Sequence, residues 1–105
     1  MTPQETLTYR FKTWADGKGY ITRAWLFGSR AKGTARDDSD WDLALELHVQ
    51  DDQQGKFFRS KLEEWNTELQ KFVGLPITVD LYYPPETPNV SAAVDEYGIQ
   101  IYPEL

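Results

Sequence analysis

The chain has 105 residues, 40% hydrophobic and 14% aromatic, enough to bury a core; this excludes a disordered chain and predicts one domain over residues 1–105. No cysteine and a single histidine exclude disulfides and thiolate zinc sites and disfavour an imidazole-rich metal centre. A net charge of −6 repels a phosphate backbone, so direct nucleic-acid binding is not expected.

Thr2-Pro3-Gln4-Glu5 reads as a helix start: Thr2 can cap, Pro3 suits the first turn, and Glu5 completes a capping box. Leu7, Phe11 and Trp14 follow at helical spacing, and Gly17 and Gly19 end the element. Residues 21–27 are apolar and aromatic enough for a strand, ended by Gly28 and Ser29. Residues 30–39 read as a helical turn followed by a loop. A second strand is predicted over 41–49, with Trp41, Leu43, Leu45 and Leu47 on one face and Asp40, Asp42, Ala44 and Glu46 on the other.

Residues 53–72 form a long amphipathic pattern, with Phe57, Phe58, Leu62, Trp65, Leu69 and Phe72 on or near one side; Gly74 and Pro76 stop it. A third strand over 77–82 alternates Ile77, Val79 and Leu81 with Thr78, Asp80 and Tyr82. Pro84, Pro85 and Pro88 predict a loop, 91–97 a short helix, and 99–102 a last, edge strand. The order implies an α/β (α+β) fold: a small mixed β-sheet with helices packed mainly on one face. No stretch approaches the ~20 apolar residues of a membrane span. The N-terminus lacks the basic and apolar regions of a secretory signal, so a soluble cytoplasmic protein is expected.

Asp40 and Asp42 are two apart at a strand start, so both project to one face. Two carboxylates a few ångströms apart cost several kcal/mol at an effective dielectric near ~20 unless positive charge intervenes. A shared proton, a neighbouring Arg or Lys, or a divalent cation would each relieve that cost. Hard cations such as Mg²⁺ take oxygen ligands and keep room for waters and substrate phosphates. Asp80 supplies a third acid if its strand lies beside the second. The Gly28-Ser29 turn lets backbone approach a phosphate, with amides and a hydroxyl to donate. A phosphate cradle facing carboxylate-held cations suits phosphoryl or nucleotidyl transfer.

Gly28-Ser29, ten intervening residues, then Asp40-Trp41-Asp42 resembles the signature of the polymerase-β-type nucleotidyltransferases. The fuller string, Gly28-Ser29-Arg30-Ala31-Lys32-Gly33 with Ser39-Asp40-Trp41-Asp42-Leu43 and Val79-Asp80-Leu81, is similar to the minimal nucleotidyltransferase subgroup, which includes antitoxins of HEPN-domain toxins. The resemblance implies that Asp40 and Asp42 ligate Mg²⁺, two ions in all. Asp80 would complete the site and help deprotonate the acceptor. Gly28 and Ser29 would hold the triphosphate of ATP, and Arg30 would add charge there. It further implies transfer of AMP to a tyrosine of a cognate HEPN toxin. Trp41 departs from the family pattern, where a smaller aliphatic is usual; its indole should face the core. With no second domain in the sequence, the base- or acceptor-gripping surface would come from a partner or a second copy of this chain.

Blander readings stand beside these. Ser-Asp-x-Asp alone is a common capped turn. Arg30, Lys32 and Arg36 could only neutralise Asp37 and Asp38, and the aromatic helix could be only core. Tyr82-Tyr83-Pro84-Pro85 could be only a strand end or could line a base pocket. Two alternative functions remain: a catalytically silent module that neutralises its partner by occlusion, and a transferase acting on a small molecule.

Overall fold

The computed structural model describes residues 1–103. Helix α1 spans Pro3–Asp16. The Thr2 hydroxyl accepts from the Glu5 amide (3.1 Å) and the Glu5 carboxylate accepts from the Thr2 amide (2.9 Å), the reciprocal bonds of a capping box. Four strands follow the helix: β1 (Ile21–Phe27), β2 (Trp41–Leu47), β3 (Ile77–Leu81) and β4 (Ile99–Tyr102). Between them lie α2 (Ser29–Lys32), α3 (Gln54–Val73) and α4 (Pro88–Tyr97).

The strands form one mixed sheet in the order β3-β2-β1-β4. β1 runs antiparallel to both β2 and β4, whereas β2 and β3 are parallel. A parallel neighbour requires a crossover, and the 20-residue α3 supplies it. On one face, Ala24, Leu26, Leu43, Leu45, Val79 and Leu81 pack with residues of α1 and α3. Trp65 is the hub of this core: it is fully buried, stacks on Tyr20 at 5.7 Å and meets Trp14 edge-on at 5.7 Å. The aromatic run of α3 is therefore chiefly core, except Phe72, which is exposed at the helix end.

The second face carries a smaller cluster of Trp25, Ala44 and Val94. Helix α4 covers it, so the helices lie mainly, not wholly, on one side. Two predicted boundaries move by more than one residue. β2 stops at Leu47 rather than 49, because the Gln54 side chain donates to the carbonyls of Leu47 (3.1 Å) and Val49 (3.0 Å) in place of a strand partner. α4 starts at Pro88 rather than 91, because proline at the first helical position loses no hydrogen bond. Among the described residues, no helix is long and apolar enough to cross a membrane.

Candidate active site

The acids gather at one end of the second face. Asp42 lies on β2, and Asp40 immediately precedes that strand. In the parallel register Asp42 stands opposite Thr78 and Ala44 opposite Asp80. Asp42 and Asp80 therefore share a face, with Asp80 two residues further along. Both are half-buried, whereas Asp40 is exposed. Burial raises the Asp42 carboxyl above its ordinary pKa, and the charges of Asp80 and then Asp40 push it the same way. Burial also raises that of Asp80. Asp40 accepts a hydrogen bond from the Thr78 hydroxyl (3.1 Å), which ties the start of β2 to β3.

No ion pair to any of the three acids is found among the described residues. Nor do three Asp, Glu or His side chains there converge into a preformed metal-binding group. The donor set nevertheless fits a hard divalent cation: all three donors are carboxylate oxygens, burial raises the proton affinity of Asp42 and Asp80, and Asp40 faces solvent. A cation would relieve the repulsion that Asp42 feels.

The β1–α2 turn lies against this group. Phe27 pairs with Asp42 across the sheet, and the next residue, Gly28, has φ 73° and ψ −159°. A β-carbon at Gly28 would collide with the Asp42 carboxylate. Only glycine fits both the backbone and the contact. The Gly28 carbonyl accepts from the amides of Ala31 (3.2 Å) and Lys32 (3.1 Å). The amides of Ser29 and Arg30, at the start of α2, have no carbonyl within the helix to donate to. The Gly28 backbone thus borders the Asp42 carboxylate, and Ser29 follows it as the first residue of α2.

Arg30 has a more specific engagement than its place in the string suggests. Its guanidinium donates to the carbonyls of Asp37 (3.2 Å) and Ser39 (2.8 Å) and lies 4.5 Å from the centre of the Trp41 ring. Trp41 is buried on the core face, as expected. Arg30 is therefore committed to the loop that delivers Asp40 rather than to open solvent beside Ser29. The Trp41 amide fixes the other end of this junction by donating to the Pro76 carbonyl (2.8 Å). Tyr82 is likewise engaged: its ring packs 4.5 Å from Trp25, and its hydroxyl donates to Asp95 (2.9 Å).

Strand alternation and the glycine-serine turn pointed to Asp40, Asp42, Asp80, Gly28 and Ser29. They gave no signal for Thr78 as a tether of Asp40, or for a cleft of about 340 Å³ beyond Asp80 that includes Arg59 and Glu86. The geometry agrees with comparison to known proteins. The family model described as polymerase beta, nucleotidyltransferase matches residues 11–103, a span holding every residue discussed in this site. No curated protein matches the chain significantly. With most of its length matched and its acids arrayed beside a glycine-serine turn, the chain belongs to the polymerase beta nucleotidyltransferase family.

Proposed function

We propose that the protein is a Mg²⁺-dependent adenylyltransferase that moves AMP from ATP to a protein hydroxyl, a tyrosine of a cognate HEPN toxin, and so acts as its antitoxin. The observation that carries the transferase reading is the placement of Asp42 and Asp80 on one sheet face, with Gly28 against Asp42. The subgroup-like string from Gly28 to Leu43 supports the antitoxin role.

Asp40 and Asp42 would hold the metal, and Asp80 would complete its ligand set. Bound Mg²⁺ supplies positive charge to the triphosphate and to the leaving oxygen. The backbone at Gly28, the Ser29 hydroxyl and the free amides of α2 orient the phosphate tail. The acceptor oxygen attacks the α-phosphorus, and the bond from that phosphorus to the α,β-bridging oxygen breaks. Pyrophosphate leaves with the bonding electron pair. Asp80 takes the acceptor proton on a carboxylate oxygen, a role its burial-raised proton affinity favours. Arg30 positions rather than reacts, by holding the loop ahead of Asp40.

The test is incubation with α-labelled ATP, Mg²⁺ and a co-expressed HEPN-domain partner. Wild type should label a partner tyrosine, and Asp42→Asn should not. If Asp42→Asn still protects cells and wild type transfers no label, the protein acts by occlusion.

A further inference from the structure

Asp42 and Asp80 are held in the strand ladders, whereas Asp40 immediately precedes β2 and lies outside them. The backbone on either side of Asp40 is nonetheless fixed. Arg30 donates to the Ser39 carbonyl (2.8 Å), and the Trp41 amide donates to the Pro76 carbonyl (2.8 Å). What remains is rotation of the exposed Asp40 side chain. The Thr78 hydroxyl restrains it by donating to Asp40 Oδ2 (3.1 Å). Among the described residues the Asp40 carboxylate has no other hydrogen-bond or ion-pair partner.

Thr78 stands among the three acids. It pairs with Asp42 across the parallel ladder, and Asp80 lies two residues further along β3 on the same face. It is half-buried, and its β-branch restricts χ1, so the hydroxyl is held in place ahead of any ligand. An ionised carboxylate only accepts, so the hydroxyl proton is directed at Asp40. One carboxylate oxygen is thereby engaged, and Oδ1 is left uncommitted.

We propose that Thr78 is a positioning residue that makes Asp40 a one-oxygen ligand and so biases the site toward Mg²⁺ over Ca²⁺. This rests on the assignment of a divalent cation to Asp40 and Asp42 in the transferase reading above. Mg²⁺ is small and demands a near-ideal octahedron, whereas Ca²⁺ accepts more oxygens at longer range and readily takes both oxygens of one carboxylate. A hydroxyl bonded to Oδ2 competes with that two-oxygen grip and leaves a one-oxygen ligand intact. Partners that hydrogen-bond a ligating side chain change metal affinity about 10–100-fold when they are removed.

The test is a two-dimensional amide NMR titration of the full chain with magnesium chloride alone and with calcium chloride alone, read at Asp40, Asp42 and Asp80. Wild type should bind Mg²⁺ more tightly than Ca²⁺. Thr78→Val keeps the β-branched shape that strands favour and loses the hydroxyl. It should shift the ratio of the two affinities toward Ca²⁺ by about tenfold. Thr78→Ala should shift the ratio the same way, and Thr78→Ser, which keeps a hydroxyl, should retain the wild-type ratio. A merely structural role would weaken both ions alike. An unchanged ratio in either hydroxyl-free variant, or an equal shift in Thr78→Ser, would overturn the proposal. No response of wild type to either ion would overturn it together with the metal assignment. The expected ratios in a protein that labels no tyrosine would uphold the role of Thr78 and tell against the transferase reading alone.

Discussion

Gly28 and Asp42 touch across the β1–β2 ladder, so that the Asp42 carboxylate occupies the space a side chain at position 28 would need. This contact joins the β1–α2 turn to the carboxylate group and makes the two one unit. It also makes position 28 doubly intolerant, since its φ of 73° disfavours any side chain before the collision is considered.

Gly28→Val should therefore cost about 1–3 kcal/mol from backbone strain alone, with the displaced Asp42 adding to it. Thermal melting should report the loss of stability. Calorimetry with a non-hydrolysable ATP analogue should report at least a ~10-fold loss of affinity, equivalent to about 1.4 kcal/mol. Unchanged affinity in a folded variant would remove the cradle from the account.

Asp42→Asn should raise the melting temperature of the metal-free protein at neutral pH. Its carboxyl has a raised pKa in the folded state, because of burial and then the charges of Asp80 and Asp40. The folded protein therefore holds that proton more tightly than the unfolded chain, and the stability it contributes is fully present below the ordinary value of 3.8 and lost as pH rises through the raised value. The advantage of Asn over Asp should be largest near neutrality and vanish toward acid. A gain independent of pH would mean that charge is not its origin.

Arg30→Ala should loosen the loop that delivers Asp40. The change removes two hydrogen bonds to carbonyls and the stacking on Trp41, together about 1–3 kcal/mol. If Arg30 acts by position, kcat should fall while the KM for ATP stays close to wild type, and Arg30→Lys should restore only part of the rate, because lysine lacks the planar fork. A large rise in KM alone would instead place Arg30 on the phosphates.

Trp65→Ala should remove the hub on which Trp14, Tyr20, Phe57 and Phe58 converge, at a cost of about 3–5 kcal/mol. Denaturant unfolding should show it as a lower midpoint. A cost near zero would mean that the aromatic face of α3 packs elsewhere.

Much of this arrangement could be read along the chain because its causes are local. Thr2 and Glu5 cap α1 within three residues of each other. Alternation alone placed Leu43 and Leu45 in the core and Asp42 opposite them. What escaped the sequence depends on partners far apart in it. Gln54 ends β2 by taking carbonyls from the preceding segment. Trp25 gives α4 a surface to cover, which alternation in β1 does not announce. Thr78 reaches Asp40 across 38 positions. The expectation that Arg30 adds charge beside Ser29 did not include its bond to the Ser39 carbonyl or its place over the Trp41 ring, which depend on the folded loop.

The proposed function requires Asp42 to help bind magnesium and a nucleoside triphosphate. The most direct test is the melting temperature of wild type and Asp42→Asn with and without Mg²⁺ and the non-hydrolysable ATP analogue. A ligand that binds only the folded state raises stability with its concentration. Wild type should gain several degrees when both are added, and Asp42→Asn, starting higher, should gain almost nothing. Equal gains in the two proteins would contradict the account.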